Sequence, residues 1–355
     1  MQLYRAKKKA LEQIDGSYGD SYSKLPHYAE MVRRSNHGRD LISSILIVPS
    51  FKRIFVGLDA LKKGFLQGCS PFLGFDGCHL KGLYGGVLLA AIGLDGNNGL
   101  FPLAFAVVES ECKDSWCFFF QALDEMLGGF AVDRPWTFMS DRQKGLLECI
   151  NDMVPHAINR RCARHLFSNF KQHFSGMPLK KYFWQACRSY NEQGFNSAMK
   201  KIQEFKPAAA EWLMKIDVSM WARHAFPVDL KNDHVTNNIA ESFNAWKGEF
   251  RGKPIMTLLE GVRTKVMNMV HKRHEKGLKW TKEIMPNILK KANEQMEWSR
   301  HCNLHVASQT EFEVLDKNVS YKLIYIECLV IAGFGIFLVF HVDMHVWQFH
   351  TRGTT

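Results

Sequence analysis

The spacing of apolar positions changes sharply at Pro71. From there FLGFDGCHL, YGGVLLAAIGL and LFPLAFAVVES follow one another, rich in small and β-branched residues. Lys81-Gly82 separates the first two runs, and Asp95-Gly96-Asn97-Asn98-Gly99 separates the second from the third. Asp-Gly and Asn-Gly supply the backbone angles that tight hairpins need, so the stretch predicts a three-strand antiparallel meander. Lys113–Leu127 then sets Trp116, Phe119, Phe120, Leu123 and Leu127 at helical spacing, and Gly128-Gly129 stops the helix. PWTFMSD predicts a short strand, RQKGLLECINDMV a helix and HAINRRC another strand. The order β-β-β-α-β-α-β describes an α/β domain with a mixed sheet.

The flanks are less regular. Residues 1–20 read as a short basic amphipathic helix ending near Gly16 and Gly19. Residues 21–70 read as an irregular, partly helical lead-in with one strand at Ile45–Val48. Residues 163–235 read as helical throughout, broken at Gly176-Met177-Pro178 and at Pro207, and 236–300 as at least two helices interrupted at Gly252-Lys253-Pro254. The domain division expected is a lead-in (1–70), a core (71–170), a helical insertion (171–235), a helical segment (236–300), a short segment (301–322) and an apolar tail (323–355).

Composition narrows the class of partner. A chain of 355 residues that is 46% hydrophobic buries one large or two modest cores. Lys and Arg outnumber Asp and Glu by 46 to 35, a formal charge of +11, and such an excess favours an acidic partner, most often nucleic acid. Nine cysteines without a Cys-x-x-Cys pair suit a reduced, intracellular protein. The first residues are basic rather than apolar, which does not describe a secretory signal. Residues 251–300 hold twelve Lys or Arg against five Glu. Lys272, Arg273, Lys276 and Lys279 fall on successive turns there, among His271, His274 and Trp280. Such a stripe either tracks a phosphate backbone or is a solvated helix face.

Three carboxylates stand where metal chemistry would use them. Asp76 lies in the first strand of the meander. Asp141 ends the fourth strand, where open α/β sheets gather ligand groups. Glu241 lies in HVTNNIAESFNAW, which reads as a helix with Ile239, Phe243 and Trp246 toward the core. On that helix Glu241 shares a face with Asn237 and Asn244. Each has a plainer reading as well: Asp76-Gly77 as a hairpin turn, Asp141 as a helix N-cap, and Asn238-x-x-Glu241 as a capping box.

A wider set of motifs bears on the choice. FLGFDGCHLKGLYGGVLLAAIGLDGNNGLFPLAFAVVE, SWCFFFQALDEML, FMSDRQKGLLECI, RRCARHLFSNFK and NNIAESFNAW, in that order, resemble the Mutator-like (MULE) transposases. The lead-in is similar to the segment that precedes this domain in the family, and the resemblance runs over roughly residues 3–320. It implies an RNase H-like α/β fold, a mixed sheet with a large helical insertion and further C-terminal helices. It also implies a DDE triad, falling on Asp76, Asp141 and Glu241, that binds two Mg²⁺ or Mn²⁺ ions for DNA cleavage and strand transfer. The implied partner is DNA, both transposon ends and target. The implied setting is the nucleus, and the implied assembly is a homo-oligomer. A domesticated DNA-binding regulator without catalysis is the alternative.

The family's Cys-x-x-His signature falls on Cys162 and His165. Two ligands do not make a tetrahedral zinc site, and Cys187, His156 and His173 add no recognisable ligand spacing. Zinc is not expected there, and support of the neighbouring catalytic face is. The chain departs from the family at both ends. It begins after the zinc-type DNA-binding module many relatives carry. EFEVLDKNVSYK looks like the entry to a SWIM zinc finger, but no Cys-x-Cys follows, so a truncated or relic transposase is expected. Leu323–Phe340 is apolar with one charge, Glu327, and is long enough for a spanning helix. A membrane anchor is the less favoured expectation, and a tail arising from a lost splice site or frame change the favoured one.

Overall fold

The computed structural model describes residues 16–35, 44–47, 50–131, 136–227, 234–246, 248–281, 284–308, 311–316, 319–326, 329–332 and 335–337, with 6, 9, 10, 13 and 232 singly. The chain divides into two units, residues 1–169 with 234–286, and residues 170–233 with 287–355.

The first unit is built on a seven-stranded sheet of order β1-β2-β5-β4-β3-β6-β7. Its strands are β1 (Ser44–Ile47), β2 (Ser50–Gly57), β3 (Phe72–His79), β4 (Val87–Leu94), β5 (Leu100–Val108), β6 (Thr137–Ser140) and β7 (Ile158–Arg161). β3, β4 and β5 form the expected antiparallel meander, while β6 pairs parallel to β3 and β7 parallel to β6. In sequence order, the five strands from β5 to β7 read 3-2-1-4-5. This is the RNase H-like arrangement that the resemblance implied.

Period-two alternation sends neighbouring residues of each strand to opposite faces. One face, with Leu73, Phe75, Leu89 and Ala91, packs under α4 (Lys113–Leu127) and α5 (Lys144–Met153). The other, with Leu88, Ala90 and Ile92, packs under α2 (Leu25–Ser35), α10 (Asn238–Trp246) and α11 (Ile255–Gly277). Gly128 and Gly129, with φ of 83° and 101°, end α4 as expected.

The lead-in is part of this unit rather than an appendage. Residues 1–15 lie mostly outside the described residues. Ala6, Lys9, Ala10 and Gln13 are helical, and Gly16, with φ 90°, stands beyond them as expected. Gly19 ends no helix but lies within α1 (Tyr18–Ser23), capped by the Ser17 hydroxyl, which accepts from the Asp20 N–H. The expected strand near Ile45 is present as β1. β2 and α3 (Asp59–Gly68) were not legible, because Arg53 interrupts the apolar run. It is nonetheless buried, donating through Nε to Glu109 Oε2 at 2.8 Å. Burying a charge is tolerable only with such a partner.

In the second unit α6 (Ala163–His173) enters at Phe170, followed by α7 (Met177–Arg188), α8 (Glu192–Phe205) and α9 (Pro207–Met214). The breaks at Gly176 and Pro207 are as expected. A further one at Ser189–Asn191 is fixed by Asn191, whose side chain caps α8 at the Gly194 N–H. Phe183, Phe195, Leu213 and Trp221 fill the interior, with Trp221 stacked on Phe183.

Beyond α12 (Pro286–Ser299), β8 (Cys302–Val306), β9 (Glu311–Asp316), β10 (Val319–Ile326), β11 (Leu329–Ala332) and β12 (Gly335–Phe337) form an antiparallel meander in chain order. The division expected at Lys322 therefore falls inside β10, and the apolar run that follows is strand where it is described. Among the described residues no helix is long and apolar enough to cross a membrane. Residues 338–355 lie outside the described residues.

Candidate active site

β3 and β6 run parallel in the register Phe72↔Thr137, Leu73↔Phe138 and Gly74↔Met139. The paired register ends there and β6 ends at Ser140, so Asp141 stands just past the end of the strand beside β3. Asp76 pairs with Ala90 of β4 and is bonded by Asn244, which puts it on the face under α10, away from Phe75 and the aromatic layer. Asp76 is thus a mid-strand residue and not a hairpin turn.

Asp141 does not cap a helix either. Its Oδ1 accepts from the Gln143 N–H at 3.1 Å, and Gln143 itself caps α5 through the Leu146 N–H at 2.8 Å. Between them Arg142 has φ 69°, a left-handed conformation that strains a residue bearing a side chain. The Arg142 N–H donates to Ser140 Oγ at 3.1 Å.

α10 carries the third position. It packs across β3, β4 and β5 through Ala240 and Phe243, with Ile239 and Trp246 partly buried at the margins. Asn244 Nδ2 donates to Asp76 Oδ2 at 2.6 Å. Asn237, 1% exposed, donates through Nδ2 to the Phe75 carbonyl at 2.9 Å. Glu241 stands four residues after Asn237 and three before Asn244, so the three positions share the helix face that meets β3 at Asp76. The Glu241 side chain lies outside the described residues.

Sequence reasoning missed a fourth acid. Glu111, half-buried in the loop between β5 and α4, has its carboxyl within 2.7 Å of the point where a Cβ on Gly77 would stand. Burial and the Asp141 charge push its pKa up, opposed by the Trp116 indole and by His79. Gln143 Nε2 donates to the Glu111 carbonyl at 3.1 Å, tying this loop to the end of β6. In sequence, an acid just ahead of a helix reads as ordinary helix-start chemistry and gives no separate signal.

The Cys-x-x-His residues split. Cys162 is fully buried, and its Sγ accepts the Asn237 N–H at 3.2 Å. It thereby fixes the start of α10. His165 is partly buried one turn on. Among the described residues no three His, Cys, Asp or Glu side chains stand close enough to hold a metal ion. Asp76 and Asp141 supply the hard oxygen donors that a divalent cation takes, and the Asp141 charge is one cause of the raised Glu111 pKa.

The basic stripe is only partly a surface. Lys272, Lys276 and Lys279 are exposed, and Trp280 is 40% exposed. Arg273 is instead drawn into the β4–β5 turn, its Nη1 3.0 Å from Asp95 Oδ2 and bonded also to the Leu100 carbonyl.

The family model of the MULE transposase domain matches residues 72–169. That span runs from the start of β3 into α6 and holds Asp76, Glu111, Asp141, Cys162 and His165, while Glu241 lies beyond it. No curated protein matches the chain. The match supports a Mutator-like element transposase, and a transposase domain implies DNA as a partner.

Proposed function

We propose that the first unit is the catalytic core of a Mutator-like DNA transposase, with Asp76, Asp141 and Glu241 as its acidic triad. The observation that carries this reading is that Asn244 of α10 bonds Asp76 in β3, while β6, the parallel neighbour of β3, ends one residue before Asp141. Water attacks a phosphodiester and leaves a free 3′-hydroxyl, which then attacks the target strand. The three carboxylates would hold Mg²⁺ or Mn²⁺, which would supply charge stabilisation at the attacking and leaving oxygens. The chain's own share is orientation. Asn244 holds one Asp76 oxygen, the Gln143 N–H holds one Asp141 oxygen, and Asn237 clamps α10 to β3. Asp76 is set by strand β3 and Asn244 by helix α10, while Asp141 stands just past the end of β6.

The test is nicking of a supercoiled plasmid by the purified chain with Mg²⁺, with Mn²⁺ and with EDTA. Nicking is expected with either ion, and Asp76→Asn and Asp141→Asn should each reduce it by at least a hundredfold. A chain that binds DNA and never nicks it is the domesticated regulator instead, and nicking that survives both substitutions removes the triad. The reading entails a nuclear protein that assembles with copies of itself, which imaging of a tagged chain and light scattering address.

A further inference from the structure

We propose that the helical insertion carries its own DNA-backbone contact, formed by Arg188 and Arg223 laid on Trp184 and Tyr190. This rests on the reading of DNA as the partner but is independent of the acidic triad. Arg188, the last residue of α7, stacks over the Trp184 ring at 4.8 Å from its centroid. Arg223, in the 3₁₀ turn Arg223–Ala225, stacks over the Tyr190 ring at 4.4 Å. Its Nη1 donates to the Arg188 carbonyl at 3.3 Å, so both guanidiniums gather at one end of α7. Among the described residues no ion pair engages Arg188.

Two further cations extend the same surface. Lys181 precedes Trp184 by three residues and Arg188 by seven, which keeps the three on one helix face. Lys181 and Lys201 both lie over the Tyr182 ring, at 5.8 and 5.3 Å. Over residues 170–233 ten Lys or Arg face six Asp or Glu, so the segment is net positive.

A solvated charge run leaves its side chains free to wander. Here a ring face lies under each guanidinium, which reduces the rotamer freedom lost on binding, and Arg188 is exposed with N–H donors for a phosphate. Tyr190 is 46% exposed, so it also offers ring area to a base. The competing account is purely structural: Arg223 caps the α7 carboxyl end, and both arginines cover apolar rings.

Binding of the full chain to a fluorescent DNA duplex in EDTA separates these accounts, since no cleavage chemistry operates there. The double substitution Arg188→Gln with Arg223→Gln should weaken binding at 0.1 M salt by about tenfold. It should also lower the log–log salt slope by about 2, because two phosphate contacts are lost. A melting temperature that drops while affinity and slope stay at wild-type values overturns the proposal in favour of the capping account. Should the glutamine pair not fold, Arg188→Lys with Arg223→Lys replaces it. That pair keeps the charge and so the slope, but loses the planar fork, and should bind several-fold more weakly; wild-type affinity in it overturns the proposal. A wild-type chain without affinity for DNA overturns both this proposal and the transposase reading. A chain that binds DNA without dependence on these arginines overturns this proposal alone.

Discussion

The two faces of the central sheet are made by the same strands and do opposite things. On the α4–α5 face, Phe75 meets Trp116, Phe119, Phe120 and Phe138 with ring centroids 4.7 to 6.4 Å apart, mostly edge to face. On the α10 face the neighbouring positions are small or polar: Gly74, Asp76 and Ala90 beneath Asn237, Ala240 and Asn244. Bulk on one side fixes the strand backbone, and on the other the same backbone holds polar groups beside the apolar cluster of Leu88, Ala90 and Ile92. The rigidity and the chemistry come from consecutive residues of β3.

Phe75→Ala tests the first half and should have the largest effect. Removing a fully buried ring from this layer should cost about 3–5 kcal/mol in denaturant unfolding. A loss below about 1 kcal/mol would mean the aromatic layer is not what holds β3. Gly74→Ala comes next. A Cβ there would stand 2.1 Å from Asn237 Oδ1, and Asn237 cannot yield without breaking its bond to the Phe75 carbonyl. Overpacking should cost about 1–3 kcal/mol and displace α10, so nicking should fall more than the melting temperature alone explains.

Asn244→Ala should invert that balance. Its Oδ1 is buried without a partner among the described residues, so losing the side chain relieves one misfit while it breaks the bond to Asp76. Stability should move by no more than about 1 kcal/mol, while nicking falls by about tenfold or more as Asp76 loses its orientation. Equal proportional losses in both would make Asn244 a packing residue only. Glu111→Gln should give the smallest change, and of opposite sign. A carboxyl whose folded pKa is raised binds its proton more tightly when folded. Its stabilising contribution is therefore full below the ordinary glutamate range and is lost as pH rises through the raised value. Without metal, the glutamine variant should melt slightly higher than wild type near pH 7, with the gain disappearing in acid. A gain that persisted at pH 4 would show that Glu111 ionisation is not its source.

How much of this was legible in the sequence depended on whether local signals agreed. The meander declared itself, since Asp-Gly and Asn-Gly lie between apolar runs, and α4 did so through the spacing of its rings. β2 did not, because burial of Arg53 depends on Glu109, 56 residues away, which no local window contains. Asp76 and Asp141 were singled out by motif order, not by spacing. That β6 lies beside β3 depends on strand pairing, which sequence separation does not encode. Glu111 escaped for a related reason, since its neighbours Gly77 and Asp141 come from other strands. Arg273 read as surface because its partner Asp95 lies 178 residues earlier. The apolar run after Lys322 read as a helix of spanning length, since a run of apolar residues is shared by helices and by successive short strands.

The neck of the helical insertion carries a consequence for how such a chain can change over time. The Ala163 N–H donates to the Val235 carbonyl at 2.8 Å, and the Asn237 N–H donates to Cys162 Sγ two residues along. The chain therefore leaves the sheet and returns to it at one hydrogen-bonded clasp. The entropy of closing a loop grows only with the logarithm of its length, about 0.6 kcal/mol for each doubling. Lineages can thus lengthen, shorten or exchange this segment for the cost of a single weak contact, provided Cys162 and the return through Val235 persist. Selection on the insertion is in that sense uncoupled from selection on the carboxylates.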